Sequence, residues 1–492
     1  MSKLQDLSER RARLTPAQRA LLEKKLRSGA GAAAPEEGIA PRQDRGPAPA
    51  SFGQRRLFHF AATRTSTAYN VYYAIGLRGP LAPEILARGV RSVVERHEAL
   101  HTRFDLARDG EVVAIVAPDL IPSSLPLIDL AGLAGLADPA AREAEGLRAL
   151  GELTACPFDL QRGPLFRTAL LRTSPQEHSL LVAVHHAVTD GWSLSLFTRD
   201  LVAAYAAGGS LLAAEKTLQS ADFAAWQRGR IRDGAFAEDL SWWREHLQGA
   251  PARGLAWPGR PQAAGGRTAL RLEPELVESL KALAQRERAT PFMMLLAGLK
   301  AVLWQWTGQA DLTVGTPMAL RARPEAAGIS GFLLNILPLR TRLAGDLTFL
   351  QLLQRVRDTF LGALAHRVAP VEWLAEELLP GPDPGALPWV NVLFNMPSGE
   401  TGHTDPLVAR GVEILPLLTG EMGFESDLTL YAREVAGGIR LDLGFNANLF
   451  APGEARHLLE GFAALLGEAA RCPDRRLSEL AERVLTPAGS EV

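Results

Sequence analysis

Two adjacent histidines, His185 and His186, followed by Asp190 and Gly191, form the densest run of chemically capable residues in the chain. Imidazole titrates near neutral pH and can take or give a proton. A carboxylate a few residues away can balance charge, and glycine lets the backbone approach a ligand closely. The run reads HHAVTDGWS from His185 to Ser193, directly after the apolar LLVAV of Leu180 to Val184. A short continuous apolar run is the signature of a buried strand, and a strand end aims side chains at a surface or cleft. Successive strand residues point to opposite sides, so the two histidines do not share one task. His186, nearer the turn, is assigned to the cleft and His185 to a structural role. Opposite-facing histidines cannot grip one ion, and no third ligand has convincing spacing, so no metal is assigned. Ser193 with a histidine and Asp190 would suit a serine hydrolase, but no GxSxG elbow occurs.

The elements that must position this turn alternate between strands and helices, which places the fold in the α/β or α+β class. Tyr69 to Leu77 reads as a strand, followed by Pro83-Glu84 and a helical period through Leu86, Val90 and Val94. Thr268 to Leu272 leads in the same way into Pro274-Glu275, with Leu276, Leu280 and Leu283 at helical spacing. Proline opens helices because its φ is pre-set and its missing amide would be unpaired anyway. Two such units roughly 190 residues apart suggest two related α/β halves. Further strands are read at Asp311 to Gly315, Trp389 to Phe394 and Ile439 to Phe445, and helices at Leu194 to Tyr205 and Pro291 to Trp306.

Composition excludes several classes. With 47% hydrophobic and 22% charged residues the chain is no disordered tail, and its 492 residues give a prior of roughly three domains. Lys and Arg total 53 against 55 Asp and Glu, for a net charge of −2, so neither nucleic acid nor a membrane surface is expected as partner. Cys156 and Cys472 make no disulfide framework, which points to a reducing, cytoplasmic compartment. No signal peptide or membrane span is read.

Residues 1–28 carry eight basic and three acidic residues, a net +5, with a Thr15-Pro16-Ala17-Gln18 helix start and Leu14, Leu21, Leu22 and Leu26 at helical spacing. Such a short basic helix either packs on the body or docks a partner. Residues 29–50 are Gly/Ala/Pro-rich and read as a flexible linker, with the folded body starting near Ser51. The expected division is 51–218 for a first half carrying HHxxxDG, 219–485 for a second half, and 486–492 as a tail.

These motifs occur in an order that resembles the condensation domains of nonribosomal peptide synthetases, over roughly residues 48–485. HHxxxDG stands at His185 to Gly191. SFGQRRL at Ser51 to Leu57 is similar to the family's SxAQxRL, RHEALHTRF at Arg96 to Phe104 to RHExLRTxF, and DFAAW at Asp222 to Trp226 to DYAxW. VGTPMALR at Val314 to Arg321, GFLLN at Gly331 to Asn335 and NANLF at Asn446 to Phe450 resemble later family segments. The departures are Gly53 for alanine, His101 for arginine, Ile336 for a common threonine, and AHRVAPVEWL around His366 where HQDYPFE is usual.

The resemblance implies two chloramphenicol-acetyltransferase-like halves arranged as a V around a central tunnel, with one active centre. It implies donor and acceptor carrier proteins as partners, alongside other synthetase domains or subunits. Their phosphopantetheine arms deliver the thioesters, so no cofactor is bound by this chain, which as a domain is expected to be monomeric. The activity implied is transfer of an acyl or peptidyl group to an amine, or to a hydroxyl, giving an amide or ester. In this reading His186 is catalytic and the Gly191 backbone N–H stabilises the oxyanion. Because α-amines have pKa values of about 7.7–8.0, His186 need not be a strong base, and positioning counts as much as proton abstraction. Asp190 is implied to be structural and ion-paired, with Arg321 as candidate partner. His185, Trp192, Asn335 and Arg96 are assigned to structural support, and Gln54, Arg55 and Arg56 to fixing the first strand. A stand-alone acyltransferase using coenzyme A thioesters and a non-catalytic carrier-recruiting domain remain as alternatives. An epimerization domain would continue DGxSW, and a heterocyclization domain would carry paired aspartates in place of HHxxxDG.

Overall fold

Alternation of β-branched and aliphatic residues with capped amphipathic segments produces layered sheets and helices. The computed structural model describes residues 38–482, apart from 65–66, 131–144, 146–147, 150, 154–155, 212–216, 258–265, 344–345, 398–406, 420–425 and 436. The basic helix expected at 1–28, residues 29–37 of the expected linker and the 486–492 tail lie outside the described residues. From Pro41 onward the chain forms one compact unit.

In chain order the strands are β1 (Ala48–Pro49), β2 (Asn70–Arg78), β3 (Thr102–Leu106), β4 (Val112–Val116), β5 (Leu127–Asp129), β6 (Phe166–Ser174), β7 (Glu177–His185) and β8 (Gly266–Leu272). They continue as β9 (Asp311–Ala319), β10 (Leu334–Arg342), β11 (Val392–Asn395), β12 (Leu407–Ala409), β13 (Val412–Thr419), β14 (Leu428–Val435) and β15 (Gly438–Phe445). The helices that matter here are α1 (Phe52–Thr63), α2 (Pro83–Arg96), α3 (Gly191–Ala206), α4 (Ser220–Arg232), α5 (Ala237–Leu247), α6 (Pro274–Arg286), α7 (Pro291–Thr307), α8 (Phe349–Ala365), α9 (Val371–Leu378) and α10 (Pro452–Arg471).

One sheet runs β12–β13–β2–β7–β6–β5 and the other β10–β9–β11–β14–β15–β8, with β1–β4–β3 as a small third sheet. The same four-strand block occurs twice. In the first, β2, β7 and β6 are antiparallel neighbours and β5 runs parallel to β6. In the second, β8, β15 and β14 are antiparallel neighbours and β11 runs parallel to β14. Each block opens with a strand leading into a helix that starts on proline, Pro83 in α2 and Pro274 in α6. The mixed α/β class and the paired halves read from sequence are thus both present.

Each block buries its own apolar core. The first packs Leu180, Val182 and Val184 of β7 with Val90, Val93 and Val94 of α2 and Phe197 and Leu201 of α3. The second centres on α7, where every residue from Met293 to Leu303 is buried. A helix apolar nearly all round belongs inside a core. Its one charged residue there, Lys300, donates from Nζ to the Leu339 carbonyl at 2.6 Å and Thr341 Oγ1 at 2.7 Å, and burial pushes its pKa down to about 7.

Several sequence boundaries move. The ordered body begins before Ser51. Ala48 and Pro49 pair with β4, Arg42 reaches Asp222 of α4 at 2.9 Å through its amide, and Arg45 reaches Glu98 at 2.6 Å. A Pro-rich segment can lie at a sheet edge because the missing amide is not needed there. The single cut at 218/219 is also too simple, because β12 and β13 join the first sheet, with β13 antiparallel to β2. Without β13, β2 would present an unpaired edge. Gln54, Arg55 and Arg56 sit on helix α1, capped by Ser51; Arg56 reaches Tyr69, the start of the first strand as read from sequence, while Gln54 reaches Ala187 and Arg55 reaches Glu376. Trp389, read as the start of a strand, is buried with φ of 60°, and the strand starts only at Val392.

Candidate active site

β7 delivers His185 as its last residue, paired across to Asn70 of β2. The chain then makes a single 3-10 turn, His186 to Val188, before α3 begins at Gly191. This strand–turn–helix gives the two histidines opposite surroundings. His185 is buried, and its Nδ1 accepts the Ala187 amide at 3.1 Å, so its proton sits on Nε2. Burial, with the neighbouring His186 adding to it, pulls its pKa down to about 3, so it is a neutral structural residue near pH 7. His186 is partly exposed, and its Nδ1 lies 2.7 Å from the Thr189 carbonyl. A carbonyl only accepts, so Nδ1 carries the proton and the Nε2 lone pair is left available. Desolvation by the surrounding protein lowers the His186 pKa, opposed by the Thr189 carbonyl and Asp190 and reinforced by Arg56.

Asp190 is the cap of α3, and its carboxylate is wholly buried. Oδ1 accepts the Ser193 amide at 2.9 Å and the Ser193 hydroxyl lies 2.8 Å from it, while Oδ2 accepts the Leu333 amide at 3.0 Å. Arg321, from the segment after β9 in the other half, brings Nη1 to Oδ2 at 2.5 Å. Its remaining nitrogens donate to the Ile329 and Gly331 carbonyls and to Ser193. The ion pair therefore satisfies every direction of a desolvated carboxylate and joins the two halves beneath the histidine turn. Gly331, with φ of 146°, completes it, and a Cβ there would lie 2.5 Å from Ser220. The Gly191 amide is the first of α3 and so has no acceptor within the helix.

Trp192 is 47% exposed rather than packed in the core, with its indole N–H on the Ala327 carbonyl at 2.9 Å. Asn335 lies within the second half. Its Nδ2 donates to the Arg367 and Ala369 carbonyls at 2.8 and 2.7 Å, and its Oδ1 accepts the Val371 amide, so it pins the start of α9. Arg96 pairs with Asp200 at 3.3 Å, in the first half, beside the His97–Asp200 contact of 2.9 Å. His101 is buried with Nδ1 on the Val94 carbonyl. His366 stacks on Trp242 of α5 and meets Asp239 at 2.9 Å.

Three contributors to the turn were not assigned to it in the sequence. Phe332 presents its ring to His186 edge-to-face at 5.2 Å. The Tyr69 carbonyl accepts the His186 amide at 2.8 Å. Gln54 of α1 donates from Nε2 to the Ala187 carbonyl at 3.0 Å. Phe332 and Gln54 lie inside recognisable motifs, but nothing in their spacing announces that they converge on one turn.

Among the described residues no group of three or more His, Cys, Asp or Glu side chains is placed to hold a metal ion, and no helix is long and apolar enough to cross a membrane. The condensation-domain family profile matches residues 44–484. The chain is 36% identical over 448 residues to a linear gramicidin synthase of Brevibacillus parabrevis, covering 88% of this chain and 8% of that synthase. It thus spans only a small part of that relative's length. Among solved structures, the X-domain from teicoplanin biosynthesis superposes with a TM-score of 0.79 at 26% identity, over 90% of this chain and 99% of that one. The first condensation domain of the calcium-dependent antibiotic synthetase, in complex with a substrate analogue, superposes with a TM-score of 0.71 at 25% identity, over 89% of this chain and all of that one. With its ordered motifs, doubled four-strand block and buried ion pair under the histidine turn, the chain belongs to the condensation-domain family of nonribosomal peptide synthetases.

Proposed function

We propose that this chain transfers an acyl or peptidyl group from one carrier protein's thioester to the amine of an acceptor held on a second carrier. The observation that carries this reading is the His186 tautomer: Nδ1–H is committed to Thr189, which leaves Nε2 as the acceptor at a partly exposed position. The acceptor nitrogen attacks the thioester carbonyl carbon, the C–N bond forms and the carbonyl oxygen becomes an oxyanion. His186 Nε2 orients the amine and takes its proton. The Gly191 amide, at the positive end of α3, supports the oxyanion. Collapse breaks the C–S bond, and the thiolate leaves as the thiol when the proton returns from His186. A hydroxyl acceptor would follow the same path with more dependence on His186 as base, giving an ester. The phosphopantetheine arms belong to the carriers, which with neighbouring synthetase domains are the proposed partners, and the domain acts as a monomer in the cytoplasm. Both cysteines are free thiols, in keeping with a reducing compartment.

The test is intact mass spectrometry of an acyl-loaded and an aminoacyl-loaded carrier, incubated with wild-type protein or His186→Ala. Movement of the acyl mass to the second carrier, lost in the variant, is the expected result. No movement with amine or hydroxyl acceptors, but transfer from a coenzyme A thioester, would replace this reading with a stand-alone acyltransferase. No transfer from either donor would leave a carrier-recruiting role.

A further inference from the structure

Helix α1 makes polar contact with the histidine turn through Gln54, supports it at one remove through Arg56, and forms ion pairs with the second half. Toward the turn, Gln54 holds the Ala187 carbonyl, and Arg56 holds Tyr69, whose own carbonyl takes the His186 amide. Arg56 reaches the Tyr69 hydroxyl with Nη1 at 2.9 Å and lies 5.6 Å from the centre of its ring, while Phe60 packs edge-on against the same ring at 5.0 Å. Toward the second half, Arg56 Nε meets Glu372 of α9 at 3.0 Å, and Arg55 pairs with Glu376 one helical turn further on. Glu372 lies next to Val371, whose amide Asn335 fixes. A continuous line of polar contacts therefore runs from Asn335 through α9, Glu372, Arg56 and Tyr69 to the backbone of His186. The arginine is 5% exposed and its glutamate 13%, so the pair is shielded from solvent screening.

We propose that Arg56 is a positioning residue for His186, and that its ion pair with Glu372 lets the second half set the alignment and charge state of the histidine turn. This rests on His186 being the group that handles the amine proton. Beside desolvation, the Arg56 guanidinium adds to the lowering of the His186 pKa, and its orientation depends on a carboxylate from the other half. Any movement of α9 relative to α1 is thereby felt at His186.

The charged and titratable groups facing His186 are few. On its own turn are neutral His185 and Asp190, and Arg321, from the segment after β9, neutralises Asp190. Phe332 comes from the segment before β10. From α1 comes Arg56, backed by Glu372 of α9. Arg56 and Glu372 are therefore the pair whose removal changes the field with opposite signs.

The experiment is an NMR titration of protein labelled at the histidine Cε1, with the His186 signal among the ten histidines assigned by its loss in His186→Ala. Arg56→Met removes the cation and raises the His186 midpoint by about half a pH unit or more. Glu372→Gln leaves the cation less compensated and lowers it. Arg56→Lys keeps the charge and restores the midpoint most of the way to the wild-type value. Loosened packing alone would hydrate the imidazole and move both neutralising variants upward, so an upward shift in Glu372→Gln overturns the proposal. An unmoved midpoint in Arg56→Met overturns it as well. The titration needs no substrate, so its failure is separate from failure of the carrier-to-carrier transfer assay.

Discussion

The turn after β7 and the turn after β15 are the same piece of architecture put to different uses. By register, His185 at the end of β7 faces the first residue of β2, and Phe445 at the end of β15 faces the first residue of β8. His186 and Asn446 are then equivalent, each opening the turn into a long helix. After β7 the turn is closed by the other half, through Arg321, Gly331 and Phe332. After β15 it is closed by its own half. The Asp427 carbonyl accepts the Asn446 amide at 2.9 Å, its carboxylate binds Trp257 Nε1 and Asn391 Nδ2 through Oδ2, and Trp257 packs on Phe450 at 4.8 Å. A turn completed by a second body presents its side chains to the junction, where substrates of two origins can meet. A turn sealed by its own neighbours becomes structure.

The comparison makes its largest prediction at the equivalent pair. His186→Ala removes the proposed proton-handling group and is expected to lower carrier-to-carrier transfer by about a hundredfold or more, with little loss of stability. Asn446→Ala leaves transfer near the wild-type rate and costs about 1 kcal/mol through the bonds it makes to Asn448 and Asp427. Turnover measured by mass spectrometry, beside urea unfolding of each variant, checks both. A large transfer defect in Asn446→Ala would mean that the second turn also reaches substrate.

The two aspartates give the next effect. Asp190→Ala leaves the Arg321 guanidinium, 1% exposed, without its counter-charge, and breaking such a buried pair costs about 3–5 kcal/mol. Asp427→Asn keeps an oxygen for Trp257 and Asn391, and burial already raises the Asp427 pKa, so it costs about 1 kcal/mol or less. Denaturant midpoints separate these two values. Inactivity in Asp190→Ala is then a consequence of unfolding at the junction, and Asp190→Ala/Arg321→Met recovers much of the stability without recovering the turn.

Gly53 tests how closely the second body seals the first turn. A Cβ built there lies 2.4 Å from the Phe332 ring, the same ring that stands edge-on to His186. Gly53→Ala must push Phe332 aside, an overpacking cost of about 1–3 kcal/mol. Phe332→Leu in the same chain relieves the clash and returns most of the stability. Transfer stays below wild type in the double variant if the aromatic edge itself holds the imidazole.

What the sequence could show follows the range of its interactions. The β7 strand, the prolines opening α2 and α6, and the apolar stripe of α7 are local patterns, and all were legible. The Asp190–Arg321 pair spans 131 residues and was named only through resemblance to a family. Phe332, Tyr69 and the double role of α1 were missed because their meaning is tertiary: a glutamine and an arginine two residues apart carry no mark of the turn they will hold. The entry of β12 and β13 into the first sheet was hidden for the same reason, since an unpaired edge on β2 is visible only once the sheet exists. The Pro-rich stretch just before Ser51 misled because composition describes a chain without partners, and Arg42 has one in Asp222.

The smallest effect separates the two histidines. His185 is neutral and buried with a pKa pulled down to about 3, against about 6.5 in an unfolded chain. Between those values the unfolded chain binds a proton that the folded one refuses, so stability falls as pH is lowered through this window and is fully present above about pH 6.5. From pH 7.5 to 5.5 this one residue accounts for a loss of about 1.4 kcal/mol. His185→Asn keeps an acceptor for the Ala187 amide but cannot titrate, so it lowers stability at every pH and loses less between those two values, by about that amount. Urea unfolding of both proteins at pH 7.5 and 5.5 measures the difference. Phe445, at the equivalent position after β15, carries no such proton, so Phe445→Leu changes the level of stability and leaves its pH slope as in the wild type. Equal slopes for wild type and His185→Asn would mean that the strand-end histidine is hydrated, and that both histidines, rather than one, open to the junction.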